Sequence, residues 1–322
     1  MNKLSSAAML IKNENMKIYR RPRTWAMIGL LVVALMLVAG IMKWDQSSQT
    51  DQSNWREEIT QSNESMRQAL TENEGAFDEQ TARSLENRIK INEHYLENDI
   101  NPYAYTLWSY MDTSSALIIL VTILTVIVAA DMVAAEFSWG TIKLLLAGPA
   151  SRAKVLLCKY ISTFMFAILL LVLCFAVSFA IGAALEGLDS LSQPKISIGA
   201  DGQIVESSMV LSVLQKYGYS VIELIMYVTF AFMISASFRS SSMAIGFSLL
   251  GILMGNTLVA VLAKYEWVKY LLFANIDLSR YANGHPLRPE MTLSFSIIML
   301  AAYYIVFQLI AWFMFTKRDV AG

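Results

Sequence analysis

The chain has 322 residues, 56% of them hydrophobic and 16% charged, with a mean hydropathy of +0.47. Soluble domains use roughly half apolar and a quarter charged residues, so water cannot be the main solvent of this chain. A formal net charge of −1 offers no chain-wide polyanion-binding surface, which excludes nucleic acid as an expected partner.

From the N-terminus, residues 4–19 place Leu4, Ala8, Ile11 and Ile18 on one side and lysines elsewhere, and the stretch ends at Pro22. The pattern predicts an amphipathic helix within residues 1–24, lying on a membrane surface with its cations drawn to the anionic head groups of membrane lipid. Arg20, Arg21 and Arg23 before a hydrophobic run resemble the start of a signal peptide. However, Trp25–Met42 is long enough to span a membrane and no Ala-x-Ala cleavage signal follows it, so the segment is expected to stay as a first span. The further windows without Asp, Glu, Lys or Arg are Thr113–Ala130, Tyr160–Leu185, Leu224–Phe238, Ser240–Ala263 and Met291–Thr316. The second helix is expected to run to about residue 132, and the short fourth is extended back to about Tyr217. The fold class is therefore an all-α integral membrane protein, with a six-span domain over residues 25–322.

The extension of the fourth span leaves Glu223 as the one acid expected inside a span. A carboxylate there costs roughly 2.5–3.5 kcal/mol if it faces lipid, so it should meet a partner, water or a pathway. Cys158 and Cys174, around the third span, lie roughly 24 Å apart on one helix, too far for a disulfide within it. Gly251 and Gly255 form a small-xxx-small pattern suited to close helix packing.

Orientation follows from basic residues near the span ends. The first 24 residues carry Lys3, Lys12, Lys17, Arg20, Arg21 and Arg23 against Glu14 alone. The connection after the second span carries Lys143, Arg152, Lys154 and Lys159 against Glu136, the turn after the fourth carries Arg239, and the tail carries Lys317 and Arg318 beside Asp319. These four segments read as cytoplasmic. Residues 43–112 hold six basic and fourteen acidic residues, and residues 186–219 hold two and four; both read as external. The expectation is a multi-pass protein of the cell membrane with both termini cytoplasmic.

Residues 43–112 are the only stretch long enough for a soluble subdomain. Trp55, Ile59, Met66 and Leu70 on one run, Leu85, Ile89 and Leu96 on a second, and Gly75 between them predict an external helical hairpin between spans 1 and 2. Asn101-Pro102 should stop its second helix, and Tyr103, Tyr105, Trp108 and Tyr110 should anchor the outer interface.

No Gly-x-Ser-x-Gly, His-Glu-x-x-His or paired intramembrane aspartates occur, and His94 and His285 stand in separate loops, so neither a catalytic nor a metal site is expected. No glycine is followed by lysine, so the chain has no P-loop of its own. Energy from ATP would need a second chain.

The connection from Ala134 to Lys159 is the most informative stretch. A helical run through Ile142, Leu144, Leu145 and Leu146 ends at Gly148-Pro149, and Ser151 can cap the helix that becomes the third span. Here the sequence resembles the type-2 ATP-binding-cassette (ABC) exporter permeases, whose corresponding connection reads Glu-x-x-x-Gly-Thr, a basic residue, leucines, then Pro-x-Ser-Arg and a later Lys. Glu136, Gly140, Thr141, Lys143, Leu145, Pro149, Ser151, Arg152 and Lys159 match it in order and spacing. The last connection, with Lys269 to Leu272 and Asn275 to Leu278 followed by Tyr281, looks like the membrane-dipping elements of the same family.

The resemblance implies that the connection is a coupling helix docking on a cytosolic ABC ATPase, and that Asn275, Asp277 and Tyr281 lie near an external gate; Glu223, as an acid inside a span, is a further pathway candidate. It further implies two ATPase subunits, a second permease chain, identical or homologous, and ATP and Mg held by the ATPase rather than by this chain. The function expected is a non-enzymatic permease subunit exporting an amphiphile such as a peptide, antibiotic or lipid. The alternative is a sensory or immunity module whose external hairpin binds a peptide or antibiotic without transport.

Overall fold

The computed structural model describes residues 3–48, 54–72, 77, 79–146, 150–188, 194–199, 202–238, 240–282 and 286–317. Gly75, Gly148, Pro149, Arg239, His285, Arg318 and Asp319 lie outside them. Six helices are long and apolar enough to cross a membrane. In chain order the helices are α1 (Lys3–Tyr19), α2 (Pro22–Ser48), α3 (Trp55–Glu72), α4 (Glu79–Glu97), α5 (Leu107–Ser114), α6 (Ile118–Ser138), α7 (Ile142–Leu146) and α8 (Arg152–Glu186). A two-stranded hairpin, β1 (Pro194–Ile198) and β2 (Ile204–Ser208), precedes α9 (Met209–Ser237), α10 (Ser241–Leu262), α11 (Leu272–Asn275), α12 (Ser279–Ala282) and α13 (Leu293–Lys317). The spans are α2, α5 continuing through a 3-10 turn into α6, α8, α9, α10 and α13. The protein is a multi-pass helical membrane protein.

Two compact units form. The first comprises Met1–Leu35, Ser115–Val177 and Lys216–Gly322; the second comprises Met36–Ser114 and Ser178–Gln215. At the centre of the first unit lies α6, whose span is 67% buried over its most apolar window against 17% for α2 and for α13. Small side chains allow that position: Ala129, Ala130, Ala134 and Ala135 are all buried and let α10 and α9 approach closely. Ser235 of α9 accepts hydrogen bonds from the backbone N–H groups of Val133 and Ala134, at 3.0 and 3.1 Å. By contrast, α2 buries Leu31 and Leu35 on one side and exposes Leu30 and Val33 on the other, as expected of a helix with a lipid face.

Gly251 and Gly255 serve close approach, but to aromatic rings rather than to a second helix backbone. A Cβ at Gly255 would overlap the Phe273 ring, and one at Gly251 would meet Phe230 at 2.6 Å.

In the second unit α3 and α4 pair through buried Trp55, Ile59 and Ile89, with Asn92 donating to Asn63 at 2.7 Å and ion pairs Arg67–Glu93 and Arg56–Asp99 at the rim. Helix α4 stops earlier than Asn101-Pro102. Asp99 takes a left-handed φ of 55° and the Ile100 N–H returns to the Tyr95 carbonyl, so the chain leaves the helix before the proline acts. The aromatic girdle expected here is corrected in part. Trp108 and Tyr110 are buried on α5, since α5 packs its aromatic side against the unit's own helices, and Tyr103 alone of the four is fully exposed. The β-hairpin was not foreseen; it runs antiparallel from Pro194 opposite Ser208 to Ile198 opposite Ile204.

Candidate functional site

The residues that matched the permease pattern gather where α6 ends and α8 begins. The Glu136 side chain is 10% exposed, and the Lys159 ammonium, 1% exposed, lies 2.9 Å from it. Two members come from α1: Glu14 pairs with Lys159 at 2.8 Å, and Lys17 bridges Glu14 and Glu136, both at 2.9 Å. Two carboxylates and two ammonium groups thus neutralise one another, with Glu14, Glu136 and Lys159 buried and Lys17 37% exposed at the edge. Such groups are tolerated at depth only when paired and hydrogen-bonded. Burial of Lys17 opposes its charge, yet hydrogen bonds to Glu14 and Glu136 outweigh that effect and hold its pKa above the ordinary 10.5.

Glu136 also accepts from the Thr141 hydroxyl at 2.5 Å. Between them Gly140 adopts φ +71°, a left-handed conformation natural to glycine, and the chain reverses out of α6. Thr141 leads directly into α7, on which Lys143 is exposed and Leu144 is 79% exposed; Trp139, beside the turn, is 61% exposed. Beyond the short gap Ser151 accepts from the Lys154 N–H at 3.3 Å, the N-cap expected for α8. Arg152 donates to the Thr316 carbonyl of α13 at 3.4 Å. The side chain of Leu145, and Pro149 altogether, lie outside the described residues.

A second ionic group lies one and a half turns up α6. Asp131, 2% exposed, pairs with Arg21 at 2.5 Å and with Arg23, and accepts from Ser241 at the start of α10. Arg21 stacks over Trp139, 4.6 Å from its ring centre. The expectation that Glu223 is the one acid in a span is therefore corrected: Asp131 falls within even the expected second span, and the helix, Leu107–Ser138, carries Asp112, Asp131 and Glu136. The sequence reading uses Glu14, Lys17, Arg21 and Arg23 only as charges that set orientation and gives no role to Asp131 or Ser241. A lone acid in the apolar run around Val128–Ala135 was the available signal for Asp131.

The expected gate residues lie elsewhere in the same unit. Asn275 is fully buried, donates to the carbonyls of Lys269 and Leu271, and accepts from Ser296, which bonds the Tyr281 hydroxyl at 2.6 Å. Asp277 caps α12 by accepting from the N–H and hydroxyl of Ser279. Glu223 is half-buried, makes no hydrogen bond or ion pair among the described residues, and feels the charge of Asp277. Asn275 and Tyr281 therefore brace the last connection, while Asp277 pairs with Arg280 at 3.1 Å.

A family model described as "Protein of unknown function (DUF2705)" matches residues 83–321. The chain belongs to that family. It is 38% identical over 316 residues to the "Uncharacterized protein YhcI" of Bacillus subtilis (strain 168), covering 97% of this chain and 99% of the relative. It is 31% identical over 214 residues to the "Uncharacterized membrane protein YdbK" of the same organism, covering 66% and 82%. The matched stretch of this DUF2705 member contains Asp131, Glu136, Lys159 and Ser241, while Glu14, Lys17, Arg21 and Arg23 precede it.

Proposed function

We propose that this chain is the permease subunit of an ATP-driven ABC exporter, moving an amphiphilic substrate such as a peptide, antibiotic or lipid. In this reading both termini and α7 are cytoplasmic and the α3–α4 hairpin is external. Two cytosolic ABC ATPase subunits supply ATP and Mg, and a second permease chain, identical or homologous, completes the pathway. The observation that carries the reading is α7 itself: a short helix with an exposed leucine, beside an exposed tryptophan, suspended from a glycine turn that Thr141 ties to a buried ionic network. An exposed apolar knob on a rigid mount is what a groove on a partner grips. Because Glu136 and Lys159 join α6, α8 and α1, a push on α7 reaches three helices at once.

In the mechanism, closure of the ATPase pair on ATP displaces α7, and the ionic network transmits that displacement to the spans, changing access to the pathway between permeases. The chain itself performs no chemistry. The test is affinity purification of the tagged chain expressed with its neighbouring genes. A P-loop ATPase should co-elute with hydrolysis activity and be lost with Leu144→Asp; a histidine kinase in place of an ATPase would favour a sensory module instead.

A further inference from the structure

We propose that α1 and α8 together form a binding site for an anionic phospholipid such as phosphatidylglycerol. Against α8, α1 leaves an open groove of about 540 Å³ lined by Lys12, Met16, Tyr19, Arg20 and Met165, with Met16 and Met165 exposed. The charges of α1 are sorted by side. Its single acid, Glu14, is consumed inward by Lys17 and Lys159. Lys12 and Arg20 point the other way, exposed, and their side chains make no hydrogen bond or ion pair among the described residues. Asn15 sits between them. Its amide donates to the Met165 sulfur at 3.7 Å, while its Oδ1 is buried without a hydrogen-bond partner.

Each of these features calls for a different part of one ligand. Lys12 on α1 and Arg20 in the turn just after it, both without counter-ions among the described residues, attract a phosphate anion placed over Asn15. An anionic head group keeps the net negative charge that these cations attract, whereas a choline head group cancels it. The thioether and ring lining accepts an acyl chain. The position is that of a membrane-surface helix beside a span, where such a lipid is present at high local concentration. None of this depends on export.

The test uses the full chain in detergent, titrated with phosphatidylglycerol or with phosphatidylcholine of the same acyl chains and read by native mass spectrometry. The wild type should retain phosphatidylglycerol adducts in preference to phosphatidylcholine. Lys12→Gln with Arg20→Gln should weaken phosphatidylglycerol binding by about tenfold or more. Met165→Trp, which fills the groove and leaves every charge in place, should weaken it comparably; it is the decisive variant should the double substitution fail to fold. Equal retention of the two lipids, or loss with the charge variant and none with Met165→Trp, would overturn the proposal, the latter leaving only diffuse electrostatic attraction.

Discussion

Lys159 is 1% exposed and shares two carboxylates with Lys17, so the four-member group is neutral only while both carboxylates remain. Removing one partner of a buried ion pair costs about 3–5 kcal/mol, chiefly by stranding the other. Glu136→Ala is expected to lower the unfolding free energy by about that amount in bicelles, and a loss below about 1 kcal/mol would contradict the network. Lys17 adds a pH dependence of known sign. Its folded pKa lies above 10.5, so the stability it contributes is fully present below pH 10.5 and is lost as pH rises through the folded value. Thermal melts of the wild type and Lys17→Gln should converge on that alkaline side and differ at neutral pH. These residues were hard to read in the sequence because a window chosen for lacking charge ends, by construction, where a charge begins. Ala130 closed the second window one residue before Asp131, although nothing in helix geometry stops there. Glu14 looked like a minority charge in a basic segment, yet it is the member that ties α1 to α8.

At the level of elements, α7 and its turn were legible because Gly, Thr and Ser each carry a backbone requirement that spacing exposes. Gly140 at φ +71° is the strictest of these. Gly140→Val should destabilise by about 1–2 kcal/mol, and Gly140→Asn by less because asparagine tolerates the left-handed region. Differential scanning calorimetry of the two variants orders them, and equal effects would argue against strain as the cause. The α3–α4 hairpin was readable from its apolar stripe, since Trp55, Ile59 and Ile89 are the residues it buries. Ile59→Ala should cost about 2–4 kcal/mol, the usual penalty for emptying such a site, seen as selective loss of hydrogen-exchange protection in α3 and α4. The β-hairpin escaped notice although Ile196 and Ile198 alternate with Lys195 and Ser197 ahead of a Gly-Ala-Asp-Gly turn. Five residues of alternation are a weak signal beside the long helical runs on either side.

For the whole molecule, charge-free windows located all six spans because an apolar run of span length has few other stable places. What composition could not convey is that the ionic residues at one end of the first unit form a connected frame. That frame joins α1, the start of α2, α6, α8 and α10 through Glu14, Lys17, Arg21, Arg23, Asp131, Glu136, Lys159 and Ser241. The central claim is that α7 hangs from this frame to meet an ATPase. Cys158 and Cys174 are both buried, so a single cysteine introduced as Leu144→Cys becomes the most accessible thiol on the described surface. Cross-linking that thiol in membranes holding the neighbouring gene products should capture a P-loop ATPase, with the yield falling when ATP is depleted or Gly140 is replaced by valine. A Leu144→Cys chain that labels freely with a soluble maleimide and captures no ATPase would contradict the account.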